Sequence, residues 1–410
     1  MRKTLVIVVV CLLSLGMAAT THSARQQRAA FNEANPLWND LEPGPFRVGF
    51  RALYRIDPSR SYDSASAIKG RPIRIMIWYP AEKPANQNAD AAPMRFGDYA
   101  NQQPDDARFA DFYRMLQERD QRTLTRQFSS PDAAALSEKL RQTPAAAFLN
   151  ASPARGKFPL VVHSTGSNDY QLESTVLWEY LASHGYVVAT VPQLGSSPEQ
   201  ARLSFALPDI NLQRQDVEFA LKEVSKFPNA DSQRVVVMGH SAGGVVALMM
   251  AAENRNIDAV VGLDGELTLK SGIEIMKSAG LNWAHFQASV LAMYRTTDND
   301  PIDFSLLDTL SQADRYYLAF AKATHFDFQN WPLYSTLTKT EDARGTPWRD
   351  AATGRDIYLT VCRSVRHFLD GVVKKRPSSL TWFRRDLKQE PAYQKLVDLR
   401  FQEKTKAQRK

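Results

Sequence analysis

Hydrophobic and polar side chains alternate in two segments near the beginning of the chain. Residues 46–56 and 73–79 place apolar side chains at about every second position, which is the pattern of a strand with one buried face. Pro80 follows the second segment and closes it. We therefore predict two leading strands that pair in antiparallel fashion at the edge of a mixed sheet.

Residues 85–156 have a different character, because they are rich in Asn, Gln, Asp and Ala. Apolar side chains recur there at helical spacing, at Phe109, Phe112, Tyr113 and Leu116. The segment contains few large apolar residues, which favours a helical insertion over the main sheet rather than a separate small domain.

From residue 158 onward, short apolar runs alternate with helical patterns. The apolar runs predict strands at residues 158–163, 186–191, 234–238, 259–263, 288–294 and 316–322. The other segments predict helices at residues 173–183, 211–227, 243–252 and 356–374. Strands that alternate with helices are typical of βαβ units with right-handed crossovers. We therefore predict an α/β fold with a doubly wound, mostly parallel sheet, whose chemistry lies at the carboxyl ends of its strands.

The first 24 residues have the composition of a cleavable signal peptide. Arg2 and Lys3 precede an apolar run at residues 5–15, and small residues follow at positions 18–24. The run is too short to cross a bilayer comfortably, so signal cleavage is favoured over a retained anchor. This pattern predicts a periplasmic or secreted protein with no stable membrane insertion after cleavage.

Composition and charge narrow the remaining possibilities. Hydrophobic residues make up 44% of the chain and charged residues 23%, as in an ordinary globular protein, and we expect one domain over residues 25–375. The formal net charge is +7, and basic residues mark a C-terminal extension at residues 376–410. A solvated tail is favoured over a nucleic-acid or anionic-surface contact. Cys362, in an apolar stretch, is predicted to be a buried thiol rather than a nucleophile.

The strongest chemical signal is the segment Gly239-His-Ser-Ala-Gly243, which lies between a predicted strand and a predicted helix. A G-x-S-x-G sequence in this context predicts a nucleophile elbow, a tight turn that exposes a reactive serine. Ser241 is then the nucleophile. The helix N-terminus points its dipole at the serine oxygen, and the Ala242 amide can donate to a developing oxyanion. An ordinary tight turn is the alternative.

A serine nucleophile needs a base and an acid on later strands. His325 directly follows the last predicted strand, and a satisfied core histidine is the alternative for it. Asp264 and Asp298 each follow a predicted strand, so both are candidates for the acid. For a second oxyanion donor, the small-residue loop after the first parallel strand offers the Ser167 amide or a neighbour, although the loop is equally compatible with a plain turn. We find no zinc-ligand spacing, P-loop or G-x-G-x-x-G motif, so no metal or organic cofactor is expected.

These motifs together resemble the dienelactone-hydrolase-like branch of the α/β-hydrolases, which includes the platelet-activating-factor acetylhydrolases. The similarity spans roughly residues 44–370 and rests on the segments 44–50, 74–81, 158–162, 239–243, 263–265 and 325–328. The resemblance implies the α/β-hydrolase fold, small acyl groups, and Asp264 rather than Asp298 as the triad acid. Family members often have Ser-His-Gly-Leu-Gly in the oxyanion loop, whereas this chain has Ser164-Thr-Gly-Ser-Asn168.

The prediction for function is a serine carboxylesterase that cleaves small-molecule esters through Ser241, His325 and Asp264, with Ala242 and Ser167 as oxyanion donors. One alternative is an acyltransferase that uses the same triad and passes the acyl group to an alcohol or a sugar. Another alternative is a binding protein that has kept the fold without catalysis. The presence of all three triad residue types favours an enzyme.

Overall fold

The structure is a computed structural model that describes residue 26 and residues 29–62, 68–83, 92–128, 130–200, 202–296, 300–339 and 350–405. The predicted signal peptide at residues 1–24 and the alternative acid Asp298 lie outside the described residues. No helix within these ranges is both long and apolar enough to span a bilayer.

A ten-stranded mixed sheet forms the centre of the molecule. Its strands are β1 (Arg47–Asp57), β2 (Arg71–Ala81), β3 (Ala147–Leu149), β4 (Phe158–Ser164), β5 (Val187–Thr190), β6 (Ala230–His240), β7 (Ile257–Leu263), β8 (Ser289–Arg295), β9 (Arg315–Phe320) and β10 (Leu396–Gln402). The strand order is β10-β9-β8-β7-β6-β4-β5-β2-β1-β3. The six strands β4 to β9 are parallel, which confirms the predicted parallel sheet.

Nine α-helices with described bounds flank this sheet. They are α1 (Ala110–Arg126), α2 (Ala133–Arg141), α3 (Thr175–Ser183), α4 (Leu207–Val224), α5 (Ala242–Glu253), α6 (Lys270–Ser278), α7 (Trp331–Thr338), α8 (Ala351–Val372) and α9 (Pro377–Arg385). Every residue of α5 from Ala242 to Ala251 is buried, because the helix lies directly on the sheet.

The hydrophobic core occupies both faces of the sheet. Neighbouring residues of one strand point to opposite faces, and Val161 and Val162 of β4 accordingly belong to two different apolar clusters. Val236 and Val237 of β6 divide in the same way. A strand that is covered on both faces needs apolar side chains at successive positions, which explains the unbroken apolar runs of the central strands.

The two leading strands pair in antiparallel register along their whole length, from Arg47 opposite Ala81 to Asp57 opposite Arg71. This confirms the predicted antiparallel pair. The region predicted as a helical insertion contains α1 and α2, and it also contributes β3, which pairs in parallel with β1.

The segment after residue 375 continues the fold through two elements that the sequence analysis did not predict. Helix α9 leads toward β10, which pairs in antiparallel fashion with β9 and forms an edge of the sheet. Phe383 of α9 is buried in the main core. Residues 376–405 are therefore structurally continuous with the preceding domain.

Candidate active site

Ser241 occupies a strained turn between β6 and α5. Its backbone angles are φ 53° and ψ −129°, a region that residues with a side chain rarely adopt. The surroundings hold this conformation, because the Gly244 N–H donates to the Ser241 carbonyl at 2.9 Å. Ser241 is half-buried and immediately precedes the first turn of α5. This is the geometry predicted for a nucleophile elbow.

The glycines of the motif are required by close backbone approaches. A Cβ on Gly239 would lie 2.1 Å from the Gly243 carbonyl carbon, and a Cβ on Gly243 would lie 2.0 Å from the Ser164 carbonyl oxygen. Such distances cannot be accommodated without moving the backbone. The second contact also fixes where β4 ends relative to the elbow.

The acid and histidine candidates meet at the carboxyl edge of the sheet. Asp264 follows β7 with φ 46°, and its Oδ2 lies 2.6 Å from Nδ1 of His325. Asp264 is buried, whereas the His325 side chain keeps 22% of its surface exposed. A carboxylate at Nδ1 leaves Nε2 of the imidazole as the nitrogen that can accept a proton.

A short 3₁₀ turn carries His325 directly after β9. The turn spans His325–Phe328 and begins with a capping box, in which the Thr324 N–H donates to Asp327 Oδ2 at 2.7 Å. Asp327 is fully buried. The capping interaction therefore fixes the backbone that presents the histidine.

The loop after β4 lies against the elbow. A Cβ on Gly166 would lie 3.3 Å from the Ser241 Cβ, so this loop packs closely on the serine. The Gly166 N–H donates to Glu173 Oε2 at 3.2 Å and is already engaged. The next amide, that of the half-buried Ser167, is the candidate that the sequence analysis named. Ala242, the other named donor, is the first residue of α5.

His240 connects the elbow to the histidine turn. Its Nε2 lies 3.0 Å from the carbonyl oxygen of His325, and the two rings are 4.4 Å apart. Only a protonated nitrogen pairs with a carbonyl oxygen, so His240 carries its proton on Nε2 and accepts at Nδ1. In the sequence, this residue is the variable position of the G-x-S-x-G motif, and nothing local marks its role.

The Nδ1 atom of His240 faces a buried polar cluster that the sequence analysis also missed. The side-chain nitrogen of Gln329 lies 2.7 Å from Nδ1 of His240. The same nitrogen lies 2.6 Å from Asp169 Oδ2 and 3.1 Å from Glu173 Oε2. One amide group with two N–H bonds therefore serves three acceptors. These residues come from three separate segments, so no local motif marks them.

Asp169, Glu173 and His240 have the donor chemistry of a metal site, and one ligand atom of each lies within 4.8 Å of the others. The distances show, however, that the Gln329 nitrogen already lies among these three atoms, where a cation would bind. An amide donor therefore occupies the position of a cation in this cluster.

The cluster extends further into the core through His163. Its Nε2 lies 2.7 Å from Glu173 Oε1, and both side chains are fully buried. Burial lowers the pKa of His163 to about 3, so this histidine is neutral. Burial and the nearby Asp169 carboxylate raise the pKa of Glu173 well above its ordinary value.

Comparison with known proteins bears on the fold. The family model described as chlorophyllase matches residues 124–274, a stretch that includes Ser241 and Asp264 and ends before His325. No curated protein is significantly similar to the chain. The narrower resemblance to the dienelactone-hydrolase-like branch stays a prediction.

The chain is also similar to a solved structure, a ferulic acid esterase from Streptomyces cinnamoneus. The TM-score is 0.58 at 19% sequence identity, and the match covers 87% of this chain and 97% of the other. At this identity the likeness concerns the fold. Together with the strand order and the turn at Ser241, it shows that the chain has an α/β-hydrolase fold.

Proposed function

We propose that the protein is a serine carboxylesterase that hydrolyses small-molecule esters through Ser241, His325 and Asp264. One observation carries this proposal above the others. A serine in a strained strand-to-helix turn lies on the same sheet edge as a carboxylate–imidazole contact of 2.6 Å. Strain at a turn that could otherwise relax is typical of a functional site.

In the first half of the reaction, Ser241 Oγ attacks the ester carbonyl while His325 Nε2 takes the hydroxyl proton. Asp264 holds the proton on Nδ1 and stabilises the imidazolium that forms. The amides of Ala242 and Ser167 donate to the tetrahedral oxyanion, and the N-terminus of α5 favours the same negative charge. The intermediate collapses when His325 gives its proton to the leaving alcohol oxygen, which leaves an acyl group on Ser241.

In the second half, water replaces the alcohol. His325 takes one proton from the water as its oxygen attacks the acyl carbonyl, and the same two amides stabilise the second oxyanion. Breakdown releases the carboxylic acid and returns the proton to Ser241 Oγ. The exposure pattern supports this sequence, because Ser241, Ser167 and His325 are half-buried whereas Asp264 and Ala242 are buried.

Two further observations support an ester as the substrate. The structural match is named an esterase, and the matching family model is described as chlorophyllase. Neither name transfers a particular substrate to this chain. We extend the proposal to a periplasmic or secreted location because residues 1–24 have the composition of a signal peptide. The mass of the N-terminal peptide of the protein, isolated from fractionated cells, would test this location.

The proposed activity is tested with 4-nitrophenyl acetate and the full mature chain. Ser241→Ala should lower kcat by about 10³-fold or more, because triad members act as a unit. Ser225→Ala is the matched control, since this serine only donates to the Leu221 carbonyl at 2.7 Å and should leave kcat unchanged. Equal rates for Ser241→Ala and the wild type would overturn the proposal. Preferential transfer of the acetyl group to an added alcohol would identify the acyltransferase instead.

A further inference from the structure

Arg295 brings a guanidinium group to the proposed acid–histidine pair. It is the last residue of β8, which runs parallel to β7 with Leu263 opposite Met293. The Asp264 N–H donates to the Met293 carbonyl at 2.8 Å, and the Arg295 N–H donates to Asp264 Oδ1 at 3.1 Å. The register of the two strands therefore fixes Arg295 beside the carboxylate.

The side chain of Arg295 shares one oxygen with the imidazole. Its Nη1 contacts Asp264 Oδ2, the atom that lies 2.6 Å from His325 Nδ1. The same Nη1 lies 2.5 Å from His325 Nδ1. Only 14% of the Arg295 side chain and 1% of that of Asp264 are exposed. Burial lowers the pKa of Arg295 to about 10, so the guanidinium is still charged at neutral pH.

A fixed positive charge at this distance disfavours protonation of His325, because imidazolium and guanidinium repel each other in a partly buried site. Asp264 attracts both groups, so the guanidinium offsets part of the stabilisation that the carboxylate gives to the imidazolium. Among the residues that the structure describes, titratable groups of other elements also lie near the imidazole. The His240 ring lies 4.4 Å away, and behind it Asp169 and Glu173 each lie 4.0 Å from His240 Nδ1.

We propose that Arg295 is a positioning residue that extends the activity of this esterase toward acidic pH by keeping His325 unprotonated. The inference rests on the proposed function, since it requires His325 to act as the base. In this scheme Arg295 acts on the reaction through the imidazole.

The test compares Arg295→Met, which removes the charge, with Arg295→Lys, which keeps it. The measurement is kcat/KM for 4-nitrophenyl acetate between about pH 4.5 and 9, since this ratio reports ionisations of the free enzyme. The midpoint of the acid limb should rise by about one pH unit in Arg295→Met and stay near the wild-type midpoint in Arg295→Lys. A purely structural role would lower the plateau without moving the midpoint.

Arg214→Met is the matched control. Its side chain is 17% exposed and pairs with Glu218 and with Glu253, the last residue of α5. Because α5 rises 1.5 Å per residue, Glu253 lies about 17 Å from the start of the helix. This variant loses a comparably buried arginine and should keep the wild-type midpoint.

An acid limb at the same pH in Arg295→Met and the wild type would overturn the inference. If Arg295→Met does not fold, Arg295→Gln replaces it with the same expectation, because it also lacks the charge. A failure of the proposed function gives a different result: the wild-type protein does not react with a fluorophosphonate at any pH. A wild type that reacts, with no shift in the charge-removing variant, refutes only the role of Arg295.

Discussion

Replacing Gly243 with alanine should separate the elbow from the oxyanion loop while the domain stays folded. The new Cβ would lie 2.0 Å from the Ser164 carbonyl oxygen and 2.9 Å from that of Thr165. Carbon and oxygen atoms normally approach no closer than about 3.3 Å, so the two backbones must move apart by about 1.3 Å. Both obstructing atoms belong to the backbone, and no side-chain rotation can relieve the contact.

The expected loss of activity follows from the catalytic residues that lie near Gly243 and Ser164. Gly243 is two residues from Ser241, and Ser164 is three residues from Ser167, so the displacement acts on the distance between nucleophile and oxyanion donor. A misplacement of about 1 Å lowers the rate about 10²-fold. Inserting one methyl group into packed surroundings costs about 1–3 kcal/mol of unfolding free energy. We therefore expect a large loss of kcat/KM with a moderate loss of stability.

The assay measures kcat/KM for 4-nitrophenyl acetate and the unfolding free energy in urea for each variant. Val235→Ala is the control. Val235 is 4% exposed and lies in β6, the strand that leads into the elbow, about 20 Å before Ser241. It should lose about 2 kcal/mol of stability and keep kcat/KM within about twofold. Wild-type kcat/KM in Gly243→Ala, or an equal loss of activity in both variants, would refute the reasoning.

Three further predictions concern other polar groups. Asp264→Asn should lower kcat about 10⁴-fold and Asp298→Asn should change it little; the reverse order in ester-hydrolysis assays would identify Asp298 as the acid. Gln329→Met removes the donor shared by three acceptors and should cost about 1–3 kcal/mol in urea unfolding, so an unchanged unfolding curve would contradict that role. Burial raises the pKa of Glu179 from 4.5 to about 7, so the folded state binds more protons than the unfolded state between these values and loses stability as the pH rises. The unfolding free energy should therefore fall from pH 5 to pH 8 in the wild type and fall by less in Glu179→Gln, and an equal fall in both proteins would exclude Glu179 as a source.

The sequence predicted the central sheet well because its signal is local. Strands buried on both faces require unbroken apolar runs, and β4, β6 and β7 lie close to where those runs predicted them. The elbow was predictable for a similar reason, since five adjacent residues and their flanking elements define the turn. The choice of Asp264 came from the resemblance to a family, and the structure brings this carboxylate to His325.

The contacts around the site were not predictable, because they depend on register and loop geometry. Arg295 reaches Asp264 only through the pairing of β7 with β8, and Gln329 meets Asp169 only after both loops have folded. The edge strand β10 had a local signal, since Leu399 and Phe401 alternate with charged and polar residues. The basic composition of the C-terminal segment hid that signal.

Covalent labelling of Ser241 tests the central claim most directly. The purified full chain is treated with a fluorophosphonate, and the adduct is located by peptide mass spectrometry. The reaction transfers the phosphonyl group to an activated serine and expels fluoride, so it requires the nucleophile and its base but no knowledge of the natural ester. We predict one adduct per chain, on Ser241, and none in Ser241→Ala. A folded wild-type protein that stays unlabelled, or one labelled at another serine, would contradict the account.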